Sequence, residues 1–333
     1  MRRLLVLMAF PMFAAACGGD SGPALQPVDL SYASADQGPG TDGATASTDD
    51  MGSSKACNGV YSKSTIAALR QGATGCYELD GVVSLAVTPV AATTKGVTIY
   101  AQDAAGGDYS AVKMGCSSTS TSHPCTVFAT AKSVLPGRAL TVMGTYIKSA
   151  AAKGGFEELY IDSITDTGSG VAPAPAALTE VDLERGATTA STSKPMAAYH
   201  FQLVTATISD KLVMYDWTAP ELKGSFGTCP QYGFGLIPTS ASATSGAACS
   251  GTTQPAGQAT VNAKEVLVGT DFYGGFTYTT DCACASMYMQ PLPTAGQGVT
   301  GAITALLNYD VPYMQTVGYQ FLSPLTNAAF TIK

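Results

Sequence analysis

Charge is scarce in this chain of 333 residues: Asp, Glu, Lys and Arg make up 12% of it, against about 25% in an average soluble domain. A helical bundle or coiled coil, which needs Lys and Glu on its solvent faces, is therefore excluded. There is no run of about 18 apolar residues, so no bilayer-spanning helix is expected. Histidine is limited to His123 and His200, and neither G-x-S-x-G nor H-E-x-x-H occurs. Lys and Arg form no stripe, so the clustered cations that grip a phosphate backbone are missing and nucleic acid is not an expected partner. What remains is turn-rich and core-capable, with 36 Gly, 18 Pro and 46% hydrophobic residues. Nine cysteines, an odd number, stand out, because an exported chain normally pairs its thiols.

The N-terminus accounts for the odd cysteine. Arg2 and Arg3 form a positive start, Leu4 to Phe13 an apolar stretch, and Ala14-Ala15-Ala16 a small-residue site before Cys17, the layout of a secretory signal. Small residues directly before a cysteine resemble the lipobox of bacterial lipoproteins. That resemblance implies cleavage after residue 16, lipidation of Cys17 and attachment to the membrane through the lipid. Gly18 directly after the cysteine points to a cell-envelope location, with the outer membrane as the expected site. Residues 17–55 then hold six aspartates and one basic residue among Gly, Ser, Thr, Ala and Pro, without apolar periodicity. Such a segment cannot bury enough apolar surface to order itself and is expected to be a disordered acidic tether.

Beyond it, short runs rich in Val, Ile, Thr, Tyr and Phe alternate with Gly, Pro and Ser, the pattern of an all-β chain. Strands are expected at Tyr77–Ser84, Gly96–Gln102, Lys113–Gly115, Val127–Ala131, Ala139–Ile147 and Glu158–Ile164. One helix is expected at Ser64–Gly72, which has a Ser/Thr start and a Gly stop. The second half repeats the order. Leu178–Gly186 answers the helix, His200–Ser209 the first strand, Leu292–Thr304 the stretch Leu135–Tyr146, and Tyr319–Leu325 the closing strand. Two copies of one domain are therefore expected, at residues 56–170 (net charge 0) and 171–333 (net charge −4).

Gly81–Ser84, Thr98–Asp103, Leu135–Tyr146 and Leu159–Thr165 resemble the OB-fold domains found in bacterial secreted nucleases and surface lipoproteins. The resemblance implies two OB-like β-barrels in tandem, the second enlarged by insertions of more than eighty residues between Ser209 and Leu292. It carries no catalytic residue. The insertions are dense in aromatics, of which Trp217, Tyr232, Phe272, Tyr273, Phe276 and Tyr278 are a candidate ligand platform, by stacking on sugars or bases. The simpler reading of these rings is core and strand-face packing.

The other eight cysteines divide evenly between the halves. In the first, Cys57 with Cys76 and Cys116 with Cys125 are the expected pairs. In the second, a bridge between Cys282 and Cys284 is sterically poor, so each is expected to pair with Cys229 or Cys249 in either order. Zinc is not expected, because the C-x-x-C pairs of zinc sites are absent. Among polar groups, His123 reads as a solvated loop residue, and His200 as solvent-facing or internally satisfied. Glu157-Glu158 and Asp162/Asp166 read as surface carboxylates. Asp103 and Asp108 around Gly106-Gly107 read as amide caps in a turn rather than calcium ligands. No cofactor or metal is expected. The function expected from sequence is non-catalytic binding or scaffolding at the cell envelope, with a glycan or an envelope protein as partner. The alternative is an enzyme, or the accessory of one, acting on extracellular polysaccharide or nucleic acid.

Overall fold

The structure, a computed structural model, describes residues 57–88, 95–120, 122–148, 157–184, 187–214, 233–239, 264–269, 296–310, 319–325 and 331–332. Cys17, the acidic segment, Cys229, Cys249, Cys282, Cys284 and the six candidate platform aromatics lie outside the described residues.

The first half runs β1 (Ser62–Ser64), α1 (Ile66–Gln71), β2 (Gly75–Val87), β3 (Gly96–Gln102), β4 (Ala111–Ser117), α2 (Phe128–Ala131), β5 (Arg138–Lys148) and β6 (Glu157–Ser169). Five of these strands close on themselves in the order β2-β3-β4-β6-β5-β2, with β4 and β6 parallel and the other contacts antiparallel. This is the OB barrel, and closure leaves no open edge within it. Alternation sorts the side chains. Val97, Ile99 and Ala101 of β3 and Val112 and Met114 of β4 fill the core, while Thr98, Tyr100, Lys113 and Gly115 occupy the outer positions. The first barrel strand bends at Gly81, which has φ 68° where the β2–β5 register shifts.

Two short helices complete the barrel. Thr65 caps α1 by accepting from the Ala68 amide at 3.1 Å, and Asp103 accepts from the amides of Ile66 and Ala67 at 3.0 and 3.2 Å. Ile66 and Leu69 are fully buried in the barrel core. The run Val127–Ala131, expected as a strand from its β-branched and aromatic residues, is instead capped by Val127 and helical over Phe128–Ala131. The reason lies in backbone pairing. All five barrel strands already have both neighbours, so this run must satisfy its own amides, and the Ala131 and Lys132 N–H groups bond Val127 O and Phe128 O.

The second half repeats the plan. It contains β7 (Ala176–Ala177), 3-10 turns at Val181–Leu183 and Met196–Ala198, β8 (Leu203–Met214), β9 (Gly233–Pro238), β10 (Val266–Gly269), β11 (Gly298–Asp310), β12 (Tyr319–Pro324) and β13 (Thr331–Ile332). The closed order is β8-β9-β10-β12-β11-β8, again with its one parallel contact between the third and fifth barrel strands. In both halves a short strand runs parallel to the first barrel strand and a helical turn follows it: β1 with β2, and β7 with β8. Tandem all-β barrels are thus present. The strand expected at His200–Ser209 begins later, at Leu203, because His200–Gln202 form a turn whose side chains are held between the barrels.

Cys57 bonds Cys76 and ties the chain entry to β2, while Cys116 bonds Cys125 and closes the loop after β4. Gly144 in β5 supplies the tightest backbone approach of the first barrel, since a Cβ there would lie 2.2 Å from the Tyr160 carbonyl oxygen of β6. Gly144→Ala is expected to destabilise the protein by about 1–3 kcal/mol, read as a lower urea midpoint; an unchanged midpoint would refute this account of the β5–β6 contact.

Candidate functional site

The densest set of chemically capable side chains lies where the barrels meet. Arg70, on the last turn of α1, is 2% exposed. Its guanidinium carries five N–H donors, and the junction offers an acceptor to each. Nε donates to Glu157 Oε1 at 3.1 Å, and Nη1 to the carbonyls of Ala111 and His200, both at 3.2 Å. Nη2 donates to the Ala197 carbonyl at 2.9 Å and forms an ion pair with Glu157 Oε1. Glu157 Oε2 accepts from the Tyr146 hydroxyl at 2.7 Å. Burial, with the Glu157 carboxylate beside it, drives that hydroxyl far above the usual phenol range. Ala111 and Glu157 belong to the first barrel and Ala197 and His200 to the second, so a single side chain bonds both.

Two aromatic rings flank the guanidinium. Arg70 Cζ lies 5.4 Å from the ring centre of Tyr109 and 5.3 Å from that of Phe201, one from each barrel. Both residues have left-handed backbones, φ 58° and 68°, a conformation rarely adopted by bulky side chains. Residues held there cost of order 1–3 kcal/mol and persist only where their surroundings impose them. His200 stacks on Tyr309 with ring centres 4.4 Å apart. Its burial first, and the Arg70 charge second, push its imidazole pKa down to about 3, so it stays neutral at ordinary pH.

The junction also covers the outer face of β3 and β4. Tyr100 and Ala111 from that face join Leu85 and Ala86 of the first barrel and Phe201 and Leu306 of the second in one buried cluster. Asn308 donates to the Tyr100 hydroxyl at 2.8 Å, the Tyr109 amide to Ala198 O at 2.8 Å, and Gln202 Nε2 to Gly107 O at 2.9 Å. Lys194 adds an exposed ion pair with Asp108 at 2.9 Å. The second and third strands of an OB barrel commonly form the face that takes oligonucleotides and oligosaccharides. Here much of that face in the first barrel is the seat of the second. Although the junction assembles Arg, Glu, Tyr and His, it is buried, and each N–H of its guanidinium is bonded internally.

A second group is half-exposed on the outside of the first barrel. His123, expected as a freely solvated loop residue, instead stacks on Tyr160 of β6 with ring centres 4.0 Å apart and planes 12° apart. The nine-residue Cys116–Cys125 closure folds its loop back over β6. Burial lowers the His123 pKa while Asp162 pulls the other way. Asp162 accepts from the hydroxyls of Tyr61, at 3.2 Å, and Thr145, and burial is the main cause that raises its pKa. Tyr61, His123, Tyr160 and Asp162 thus form one polar-aromatic patch. Asp166 is apart from it, paired with Arg138 at 2.8 Å, whose hydrogen bond lowers the carboxyl pKa.

The carboxylates Glu157 and Glu158 are not on the surface as sequence suggested: they are 8% and 6% exposed. Glu157 reads as solvated only until Arg70, 87 residues away, and Tyr146 are placed beside it, while Glu158 lies over Gly115 of β4. Asp103 caps α1 and Asp108 pairs with Lys194, so both carboxylates of that turn have structural partners. Among the described residues, no group of three or more His, Cys, Asp or Glu is placed to hold a metal ion. The sequence reading missed Arg70, Tyr109 and Phe201. One signal was present: Ile66, Leu69 and Arg70 stand at i, i+3 and i+4, which puts the arginine on the apolar face of its helix.

No protein-family model matches the chain, and no curated protein matches it. Among solved structures, it is similar to an OBody, AM1L10, bound to hen egg-white lysozyme, at 18% identity and TM-score 0.26, covering 33% of this chain and 98% of that one. It is also similar to a putative aspartyl-tRNA synthetase from Leishmania major Friedlin, at 13% identity and TM-score 0.26, with 35% of this chain and 23% of that one covered. The aspartyl-tRNA synthetase of Entamoeba histolytica matches at 14% identity and TM-score 0.26, over 37% and 25% of the two chains. The chain therefore spans about a quarter of the length of the two synthetases. The strand order by itself defines both barrels.

Arg70→Met leaves the Glu157 carboxylate buried without its cation and is expected to cost about 3–5 kcal/mol in urea unfolding. A loss below about 1 kcal/mol would show that Arg70 does not hold the junction. His200 sets a pH dependence. Its folded pKa lies below the unfolded value of about 6.5, so its contribution is fully present above pH 6.5 and is lost as pH falls toward 3. Stability is expected to drop between pH 6.5 and 5 by up to about 1.4 kcal/mol per unit. His200→Gln should flatten that slope; an equal slope in the variant would rule out His200 as its source.

Proposed function

We propose that this protein is a lipid-anchored binding or scaffolding protein of the cell envelope, with no catalysis of its own. The feature that carries this reading is the filled junction. A surface that an OB barrel would use for a ligand is spent on joining two barrels, which yields a stiff body suited to presenting surfaces rather than closing around a substrate. The N-terminal sequence supports the anchor: the apolar stretch Leu4–Phe13, the small residues Ala14–Ala16 and Cys17, followed by an acidic segment that holds the barrels away from the membrane. The location that fits is the outer membrane. No helix among the described residues is long and apolar enough to cross a membrane.

The partner surface in this reading is the patch of Tyr61, His123, Tyr160 and Asp162, two tyrosines with a neutral imidazole and a carboxylate. Such a set suits a glycan or a polar protein surface, through hydrogen bonds to hydroxyls and apolar contact with ring faces. Clustered phosphates would meet a carboxylate there and no cation stripe.

Mass spectrometry of the protein from its native membrane should find a lipidated N-terminal Cys17, and Cys17→Ser should release it to the soluble fraction. An unmodified Cys17 would end the anchor reading. On a glycan array and in crosslinking of envelope fractions, Tyr160→Ala is expected to reduce capture at least about tenfold relative to the native chain, the scale of losing one aromatic contact of about 1.4 kcal/mol. Capture unchanged by that substitution would move the partner surface elsewhere.

A further inference from the structure

Arg70 lies inside the segment closed by Cys57–Cys76, a bridge across 19 residues. The regular elements of that N-terminal arm are short. β1 is three residues paired on one side to β2, and α1 is six residues, below the length at which a helix persists alone. The arm is anchored on the first barrel by the buried Ile66 and Leu69 side chains, the Asp103 bonds to its first amides, the Lys148 ammonium on the Arg70 carbonyl, the Arg70 bonds to Glu157 and Ala111, the Tyr61 hydroxyl on Asp162 and the Lys63–Glu78 ion pair. The five strands of the first barrel close without the arm, since β2 pairs with both β3 and β5. The second barrel, in contrast, is bonded by the arm through Arg70 to Ala197 and His200. The same guanidinium lies against Tyr109 and Phe201, the two left-handed aromatics.

We propose that the Cys57–Cys76 disulfide is a latch on barrel docking: it keeps Arg70 seated between the barrels, more than it maintains the first barrel itself. The physical reason is chain entropy. Without the bridge, the described part of this segment is joined covalently to the barrel only where residue 75 enters β2, so an opened segment gains far more conformational freedom. With the bridge, both ends stay fixed at β2 and the open state gains far less, on the order of a hundredfold in population for a loop of this size. Each opening of α1 removes five donors from the junction. It also removes the guanidinium that lies over the rings of Tyr109 and Phe201, the two residues with left-handed backbones. The arm is therefore the place where loss of one covalent bond becomes undocking of the second barrel and exposure of Tyr100 and Ala111 on the β3–β4 face. This inference is independent of the lipid anchor.

Amide hydrogen exchange on the full chain tests it, because the junction has its own reporter. The Tyr109 amide donates across it to Ala198 O, whereas the amides of β5 report the barrel wall. In Cys57→Ala/Cys76→Ala, exchange at Tyr109 should accelerate on the order of a hundredfold, while β5 amides change by less than about a tenth of that factor. Cys116→Ala/Cys125→Ala, which opens the other loop of the same barrel, should leave Tyr109 protected. Arg70→Met should accelerate Tyr109 as well, and adding it to the first pair should bring little further change, since both act on one event. Equal acceleration of Tyr109 and β5 would overturn the proposal in favour of general destabilisation. Unchanged Tyr109 exchange in Cys57→Ala/Cys76→Ala would overturn it outright.

Discussion

A guanidinium removed from water must find partners for all its donors, and this requirement at Arg70 organises the protein. Taking an arginine and a glutamate out of water costs several kcal/mol per ion, and only complete hydrogen bonding offsets it. Glu157 supplies the opposite charge, but one carboxylate oxygen satisfies just two of the five N–H groups. The rest need carbonyls, of which Ala111 lies in the first barrel and Ala197 and His200 in the second. Either barrel alone would leave the cation short of acceptors. The pair is thus better viewed as specifying one arrangement of two barrels than as a net source of stability.

The second barrel makes the corresponding contact between strand and turn with a neutral amide. In the first, a residue at the start of the last barrel strand, Glu157 of β6, reaches the helical turn that precedes the first strand. In the second, Gln320 of β12 reaches the equivalent turn and donates to the carbonyls of Asp182 and Glu184. The repeated helix places Glu184 where the first copy has Arg70. The two contacts between strand and turn therefore differ, with an ion pair where the turn also bonds a second barrel and an amide donating to two turn carbonyls in the other half. Asp182, fixed by the Thr179 and Ser191 amides at 2.8 and 2.6 Å, completes that local set.

The same junction decides which faces of the first barrel stay accessible. Tyr100, Ala111 and Lys113 of the first barrel are buried, and the partner surface proposed above therefore lies on β6, where Tyr160 and Asp162 remain half-exposed. Two disulfide-held segments meet that surface. Tyr61 arrives from the chain entry held by Cys57, and His123 from the loop closed by Cys125. Their side chains are thus positioned by the fold itself, which would lower the entropic cost of the proposed binding.

Much of the fold was legible in the amino-acid order, because it is local information. Alternation in Gly96–Gln102 marked a strand at its observed bounds, and the Thr start and Gly stop of the first helix matched its caps. The repeated succession of helix, strand and closing strand announced two copies of one domain, and the resemblance to OB-fold domains implied that each is a barrel. Val127–Ala131 misled because composition reports what a strand would tolerate, while the filled ladders of the barrel decided that this run must bond itself. Partners distant in sequence were beyond reach of any local pattern. Glu157 is 87 residues from Arg70, and His200 is 130 away. By itself the sequence determined strands, caps, duplication and a signal-like N-terminus, since each depends on neighbours along the chain. Only the tertiary structure decided that two glutamates are buried, that His200 is held neutral, and that the second barrel covers the β3–β4 face of the first, because burial and desolvation depend on what folding brings alongside.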